Sequence, residues 1–336
     1  MQEVITLSQF LNEEVRRGQI KLSLAGVVTD MARAGKIISQ MVGRGALANI
    51  LGYTERSNIQ GETQTKLDIL ANDIILKNHE WGGYVAAMAS EEMDSIYLLP
   101  LGSRRGDYLL VFDPLDGSTN IDVNGSIGTI FSVLPVPAGI NEPREEHFLQ
   151  PGINQVCAGY ILYGPATLLL LTLGNGVYSF NLDREIGEFI LIRRDMRIPE
   201  STSEFAINSS NARFWEPPVK RYIDECIAGK EGTRGRNFNM RWSGAMVADA
   251  HRCLSRGGIF LYPRDRKDPK KPGKLRLLYE ANPISFMVEQ AGGLSSTGYQ
   301  RVLEIEPGSL HQRVPLILGS AQEVQRLIDY HSPGDS

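Results

Sequence analysis

Two aspartates three residues apart follow a short apolar run and precede a glycine–serine turn. They are Asp113 and Asp116 in the segment FDPLDGSTN, residues 112–120. Pro114 fixes the backbone between them and lacks an N–H, so we expect both carboxylates to point at one place beside the carbonyl of Leu115. Such carboxylates repel each other unless a cation neutralises them, and Mg²⁺ prefers oxygen ligands of this kind. The alternative is that Asp116 caps a turn and Asp113 is solvated.

Other acids occur where they could complete a metal site. Glu91 and Glu92 follow an alanine-rich segment, and Glu280 follows the apolar run 275–279. A carboxylate at the end of an apolar run suggests a partner. Asp68 lies on or near the apolar flank of a predicted helix. The alternatives are a solvated loop for the adjacent glutamates and an exposed helical position for Asp68.

Together these acids suit a pair of divalent ions bridged by carboxylates. Such ions, about 3.5–4 Å apart, clamp a phosphoryl group and generate hydroxide. Gly117 and the N–H groups of Ser118 and Thr119 offer a small anion-binding turn for phosphate oxygens. The residues therefore predict a metal-dependent phosphoryl-transfer site.

The composition is typical of a globular protein without a general affinity for nucleic acid. The 336 residues suffice for one large domain or two medium ones, with 42% apolar and 22% charged residues and a net charge of -4. An anionic substrate would therefore need a local cation. Cys157, Cys226 and Cys253 show no zinc pattern and predict free thiols in a reducing compartment. The mixed-charge N-terminus and the short apolar stretches predict a cytoplasmic protein without a membrane span.

The elements that would position these residues follow from the apolar pattern. Helical spacing predicts helices over 24–41 and 63–78. Strands are predicted next, because short apolar runs alternate with turn residues; they cover 108–112, 127–134, 159–163, 167–173, 177–182 and 188–192. The pattern breaks near 197–203, which suggests domains 1–198 and 199–336. The second domain is predicted to contain helices at 243–254, 282–292 and 321–330 and strands at 258–262 and 314–318.

The segment DPLDGSTN resembles the signature of the lithium-sensitive, metal-dependent phosphatase superfamily, which includes inositol monophosphatases. GETQTKLDILAND, SEEMD, AGYILYG, MVADAHR, GGIFLYP and GKLRLLYEANP, in this order, resemble class I fructose-1,6-bisphosphatase. The resemblance runs from about residue 8 to residue 330. It implies an α/β fold of layered α+β type, the sugar-phosphatase fold: an α/β/α/β/α sandwich of two domains with the site in the cleft between them.

The activity implied is hydrolysis of the 1-phosphate of D-fructose 1,6-bisphosphate, in gluconeogenesis or the Calvin cycle. The resemblance further implies a homotetramer that binds a small sugar bisphosphate. Each subunit would hold two or three Mg²⁺ ions, which Mn²⁺ or Zn²⁺ can replace.

The resemblance also assigns roles to single residues. The implied metal ligands are Glu91, Asp113, Asp116, Glu280 and the carbonyl of Leu115. Glu92 and Asp68 match the pair that orients and deprotonates the attacking water, and Glu62 matches a position near a third ion. The implied substrate contacts are Asp116, Gly117, Ser118 and Thr119 for the 1-phosphate, and Asn208, Arg241, Trp242, Tyr262 and Lys274 for the sugar and 6-phosphate. The family donates the Arg241 equivalent from a neighbouring subunit. Arg276 could serve the phosphate pocket or pair with a carboxylate.

Two departures concern the distal-phosphate pocket. Asn211 and Trp242 stand where the family commonly has tyrosines. Asparagine is shorter, and tryptophan offers an indole N–H in another place. We therefore expect a reshaped pocket, with sedoheptulose 1,7-bisphosphate as a second substrate.

Other departures concern regulation. Residues 21–25 replace the turn that binds the AMP phosphate in inhibited relatives, Asp107 replaces a lysine beside Tyr108, and the arginine position lies near Pro135. An acid beside a phosphate is repulsive, so weak or absent AMP inhibition is expected. Residues 139–152 carry no cysteine, so thioredoxin control is not expected.

Two rival functions remain open. An inositol-phosphate or nucleotide 3′-phosphatase of the same superfamily would share the metal-binding acids, but would lack GGIFLYP and GKLRLLYEANP as they stand here. A catalytically silent regulatory homologue would be expected to have lost some of those acids, whereas all are present.

Overall fold

The computed structural model describes residues 4–48, 52–57, 63–267 and 273–332. The helices in these ranges are α1 (Leu7–Arg16), α2 (Leu22–Arg44), α3 (Lys66–His79), α4 (Pro217–Ala228), α5 (Met246–Arg256), α6 (Asn282–Gln290) and α7 (Ala321–His331). The strands are β1 (Tyr53–Ser57), β2 (Thr63–Thr65), β3 (Val85–Ser90), β4 (Tyr97–Leu98), β5 (Tyr108–Asp116), β6 (Ile127–Pro135), β7 (Cys157–Tyr163), β8 (Thr167–Thr172), β9 (Val177–Asp183), β10 (Glu188–Arg193), β11 (Glu204–Ile207), β12 (Asn239–Met240), β13 (Ile259–Tyr262), β14 (Leu275–Arg276), β15 (Leu294–Ser296), β16 (Arg313–Val314) and β17 (Leu316–Gly319).

An eight-stranded sheet has the order β10-β9-β8-β7-β6-β5-β3-β4. Its pairs are antiparallel except β3 with β5, which run parallel. Alternate residues of each strand face opposite sides, and both sides are apolar. For example, Ile161 packs toward α1, α2 and α3, whereas Tyr160 and Leu162 pack toward α5 and α6. Because both faces are covered, the central strands β5, β6 and β7 are buried along nearly their whole length.

A five-stranded sheet has the order β12-β11-β13-β17-β15. One face packs on α5 and α6, through residues such as Phe260 and Leu318. The other face packs on α4 and α7, through residues such as Leu261 and Ile317. The layers are thus helices α1–α3, the eight-stranded sheet, helices α5 and α6, the five-stranded sheet, and helices α4 and α7.

The six strands predicted between residues 108 and 192 correspond to β5–β10, and the predicted first and last helices correspond to α2 and α7. The prediction of helix from residue 63 is wrong for its first three residues, which form β2. Helix α3 begins at Lys66 because Thr65 caps it: Thr65 Oγ1 accepts from the Asp68 N–H at 3.2 Å, and Asp68 Oδ2 accepts from the Thr65 N–H at 2.7 Å.

The elements absent from the sequence prediction include α1, α4, β3 and β11. Helix α4 opens with Pro217 and Pro218; proline is acceptable in a first turn but hides the helical periodicity. Strand β3 is alanine-rich and has weak intrinsic strand preference, yet all six of its residues are buried.

The segment around Asn282 also differs from its prediction as a helix cap. Residues 277–281 form a π-helical turn that runs into α6, so Asn282 lies inside the helical segment. The predicted strand 314–318 is divided at Pro315 into β16 and β17, which belong to different sheets. Within the ranges described, no helix combines the length and apolarity needed to cross a bilayer.

Candidate active site

Asp113 and Asp116 converge because β5 carries a bulge between them. Asp113 lies opposite Ile130 of β6, but Asp116 lies opposite Gly128, so three steps along β5 match two along β6. Residues three apart in a regular strand point to opposite faces. The extra residue reverses this alternation and aims both carboxylates at one side of the sheet.

The bulge is held by buried hydrogen bonds. Thr129 Oγ1 donates to the carbonyl of Pro114 at 2.8 Å, and the Tyr163 hydroxyl lies 2.8 Å from the same Oγ1. Because Thr129 donates its single proton to Pro114, the tyrosine must be the donor to Thr129. The Leu115 N–H donates to Asp113 Oδ1 at 2.9 Å. Proline suits the bulge because no ladder N–H is needed there.

Glu280 supplies a third carboxylate from the other half of the chain. It lies in the π-helical turn, and its Oε2 accepts from the N–H of Arg276 at 2.6 Å. One carboxylate oxygen each of Asp113, Asp116 and Glu280 can be chosen so that all three lie within 4.8 Å of one another. All three residues are buried. Such a set needs a compensating charge.

The pKa values reflect the burial and mutual repulsion of these carboxylates. Burial, and then the charges of Glu91, Asp116 and Glu280, raise the pKa of Asp113 well above its ordinary value. Burial and the charge of Glu280 raise the pKa of Asp116 to about 7. A divalent cation among these oxygens would remove the repulsion, and oxygen donors suit Mg²⁺. The residues present therefore fit the metal that the sequence predicts.

Glu91 is buried at the end of β3, which rules out the solvated-loop alternative for this residue. Its N–H donates to the carbonyl of Phe112 on the neighbouring strand at 3.1 Å. Its carboxylate pairs with the guanidinium of Arg276, whose Nη1 also lies 3.8 Å from Glu280 Oε2. Arg276 thus pairs with carboxylates from both halves of the chain.

Asp68 is 2% exposed, so the exposed-helix alternative is wrong. Oδ2 is occupied by the cap of α3, whereas Oδ1 is buried with no hydrogen-bond partner among the described residues. Burial, followed by the charge of Glu92, raises the pKa of Asp68 to about 7. Asp68 and Glu92 both line the same cavity as the metal-binding candidates.

This cavity has a volume of about 640 Å³ and lies between the two halves of the chain. The predicted site residues that line it are Asp68, Glu91, Glu92, Asp113, Leu115, Asp116, Gly117, Ser118, Thr119, Asn208, Trp242, Tyr262, Lys274 and Glu280. Among the predicted residues that the structure describes, Arg241 alone lies elsewhere; it is exposed, and its N–H donates to the carbonyl of Phe205 at 2.8 Å. Glu62 lies outside the described residues.

Gly117 opens the turn that sequence reasoning assigned to phosphate. Its φ is +78°, and a Cβ added there would lie 2.4 Å from Cβ of Ala245. Only glycine satisfies both constraints. The following 3₁₀ turn, Ser118–Asn120, is fastened to the second half of the chain because Asn120 Nδ2 donates to the carbonyl of Ser243 at 3.1 Å.

Sequence reasoning missed several residues that line the cavity, including Met246 and Phe260. The Trp242 indole stacks on the Phe260 ring, with centroids 5.9 Å apart and planes 2° apart, and Lys274 Nζ lies 5.5 Å from the ring centre of Tyr262. A signal for Phe260 was present, since residues two apart in a strand share a face and Tyr262 was already a candidate.

Family models and a curated relative match this chain along nearly its whole length. The model of the fructose-1-6-bisphosphatase N-terminal domain matches residues 5–194, and that of the C-terminal domain matches residues 198–332. The class 1 fructose-1,6-bisphosphatase of Hydrogenophilus thermoluteolus is 58% identical over 333 residues, covering 98% of this chain and 93% of the relative.

Among solved structures, the Leishmania major fructose-1,6-bisphosphatase in holo form superposes with a TM-score of 0.90 at 38% identity, covering 98% of this chain and 99% of that one. The two-domain sugar-phosphatase fold that the motifs implied is confirmed, as is the resemblance itself. The chain belongs to the fructose-1,6-bisphosphatase family.

Proposed function

We propose that this chain hydrolyses the 1-phosphate of D-fructose 1,6-bisphosphate to fructose 6-phosphate and phosphate, with Mg²⁺ as its metal. Family membership makes it a phosphoric monoester hydrolase. The observation that carries the proposal is the convergence of Asp113, Asp116 and Glu280 within 4.8 Å at the acidic end of one cavity.

The residues that would hold the metal are Glu91, Asp113, Asp116, Glu280 and the Leu115 carbonyl. Two or three ions per subunit are proposed, and Mn²⁺ or Zn²⁺ could replace Mg²⁺ in the same oxygen-rich site. When bound, such ions neutralise the phosphoryl oxygens and lower the pKa of a coordinated water.

The protein's own groups orient the water and the phosphate. Asp68 has one oxygen fixed by the cap of α3 and the other unpartnered, with a pKa of about 7. Together with Glu92 it would orient the attacking water and accept its proton near neutral pH. The turn from Gly117 to Thr119 would bind the 1-phosphate through its backbone N–H groups.

Asn208, Trp242, Tyr262 and Lys274 would hold the sugar and the 6-phosphate at the opposite end of the cavity. A second cavity of about 580 Å³ shares Asn208, Tyr262 and Lys274 with the first. This cavity is also lined by Asn211, where the family commonly has a larger tyrosine. The additional space favours a second candidate activity, the hydrolysis of sedoheptulose 1,7-bisphosphate, which is one carbon longer.

We also propose a homotetramer in which Arg241 completes the distal-phosphate site of a neighbouring subunit. Its position away from its own cavity supports this role, as does its place next to β12, an edge strand.

The domain boundary is proposed at residues 198 and 199. A cytoplasmic location is proposed because Cys157, Cys226 and Cys253 are all free thiols. The pathway would be gluconeogenesis or the Calvin cycle.

Phosphate release by EDTA-treated protein, with and without added Mg²⁺, tests the proposal. Fructose 1,6-bisphosphate, sedoheptulose 1,7-bisphosphate and inositol 1-phosphate are compared in parallel, and the six-carbon product is identified. We expect Mg²⁺-dependent formation of fructose 6-phosphate and no turnover of inositol phosphate. Equal release in EDTA would contradict the metal dependence, and no release at all would favour the silent homologue.

A further inference from the structure

His311 lies on the segment that binds the backbone leading to Glu280. Strands β14 and β16 pair antiparallel, and the N–H of Leu277 donates to the carbonyl of Gln312 at 2.8 Å. The His311 ring also packs against the ring of Tyr279, the residue before Glu280, with centroids 5.3 Å apart. His311 is therefore fixed relative to the C-terminal part of the acidic site.

The same imidazole reaches a turn that carries two acids from the N-terminal half. His311 Nε2 lies 3.0 Å from the carbonyl oxygen of Met93, although the residues are 218 positions apart. A carbonyl only accepts, so Nε2 carries the proton. Met93 directly follows Glu91 and Glu92, and its N–H donates to the carbonyl of Ser90 at 3.2 Å, which closes the turn.

His311 itself does not line the cavity of the acids. Any effect on the reaction must therefore pass through the turn that it binds. Glu91 has a second contact across the halves, the ion pair with Arg276. That contact competes with a metal ion for the carboxylate, whereas the bond to Met93 uses a backbone oxygen and persists when the carboxylates bind metal.

We propose that His311 is a positioning residue for the phosphatase reaction. The hydrogen bond from His311 Nε2–H to the carbonyl of Met93 holds the turn that carries Glu91 and Glu92. It thereby fixes the distance between this turn and Glu280 that the divalent ions require. This inference rests on the proposed metal-dependent function and extends it to a residue outside the cavity. Removing a residue that orients a metal ligand without itself binding the metal typically lowers metal affinity about 10–100-fold.

Three substitutions separate positioning from simple packing. His311→Leu keeps a comparable volume and removes the donor. In His311→Gln the side-chain amide N–H lies near the position of Nε2 and can reach the Met93 carbonyl. In His311→Asn the amide N–H lies near the position of Nδ1, and the side chain is too short to reach that carbonyl. Mg²⁺ binding to EDTA-treated protein is measured by calorimetry, and kcat and KM are measured with fructose 1,6-bisphosphate.

We expect His311→Leu and His311→Asn to weaken Mg²⁺ binding about tenfold or more. The kcat at a fixed Mg²⁺ concentration should fall while KM for the sugar bisphosphate stays close to wild type, because the distal residues are not displaced. His311→Gln should recover most of the affinity. If His311→Leu does not fold, the comparison of His311→Asn with His311→Gln decides the matter.

His331→Leu is the matched control. His331 Nδ1–H donates to the carbonyl of Leu327 at 2.7 Å and the ring packs on Tyr299 at 5.0 Å, so the same kinds of contact are lost away from the cavity. Its thermal stability should fall with no change in Mg²⁺ affinity. The inference is overturned if His311→Leu binds Mg²⁺ like the wild type or the control, or if His311→Gln is no better than His311→Asn. A wild type that neither binds nor uses Mg²⁺ would instead overturn the proposed function, and the inference with it.

Discussion

The N–H of Val247, in the first turn of α5, donates to Asp116 Oδ2 at 2.7 Å across 131 positions of sequence. Helix N-termini leave such N–H groups without internal partners, and a carboxylate there is favoured by the helix dipole. Asp116 thus caps a helix of the C-terminal half with one oxygen, which leaves the other for the acidic cluster.

The two functions of Asp116 can be separated by substitution. Asp116→Asn removes the charge but keeps an oxygen for Val247, whereas Asp116→Ala removes both. We expect both variants to lower kcat about 10²–10³-fold, the effect of several kcal/mol of lost charge stabilisation. In EDTA, Asp116→Ala should be less stable than Asp116→Asn by about 1 kcal/mol, because the helix end loses its acceptor. Equal stability in denaturant titrations would contradict the capping role.

Gly117→Ala should damage both stability and phosphate binding. The backbone conformation with positive φ alone costs about 1–3 kcal/mol for a residue with a side chain, and the added methyl would also displace Ala245. Gly18 provides a control, because its φ is +72° and nothing lies within 4 Å of the position of an added Cβ. Gly18→Ala should lose stability only, with unchanged kcat/KM. A Gly117→Ala enzyme with wild-type kcat/KM would count against the turn as a phosphate site.

Thr129→Val should disturb the bulge of β5 that positions Asp113 and Asp116, without changing a residue that lines the cavity. It leaves the buried Pro114 carbonyl without its donor and the Tyr163 hydroxyl without its acceptor, a loss of about 1–3 kcal/mol. We expect lower thermal stability and a higher Mg²⁺ requirement in phosphate-release assays. Tyr163→Phe is the control, since it retains the bond from Thr129 to Pro114 and should keep a near-normal Mg²⁺ requirement.

The metal-free protein should lose stability as the pH rises. Asp68 and Asp116 have pKa values near 7 in the folded state, against an ordinary value of 3.8, so the folded chain holds protons that the unfolded chain releases. Their contribution is complete below about pH 4 and is lost as the pH rises through 7. Melting curves in EDTA from pH 5 to pH 8 test this. Mg²⁺ should raise Tm more at pH 8 than at pH 5, and the opposite trend would refute the assignment.

AMP should inhibit weakly or not at all. Asp107 is exposed and lies 4.0 Å from Lys21 Nζ, so the local cation is already paired with an acid that would repel a phosphate. An inhibition constant in the micromolar range would contradict this prediction. Asp107→Lys should increase any residual sensitivity, because it replaces the repulsion with an attraction.

Asp113 and Glu280 could be singled out from sequence because they follow apolar runs, and the strands of the first domain could be predicted because short apolar runs alternate there with turn residues. The bulge could not be, since it is defined by the register of β5 against Ile130 and Gly128. Nor could the burial of Glu91, which depends on packing against elements distant in sequence. The same limit applies to His311, since nothing near it in the chain indicates a bond to Met93.

The acidic site is assembled from two structural halves, with the aspartates on the eight-stranded sheet and Glu280 on the turn before α6. A divalent cation bound among these oxygens would therefore join residues of both halves. Removing such a cation would leave the repulsion among the three carboxylates uncompensated where the halves meet, so the stability of their interface would depend on metal concentration.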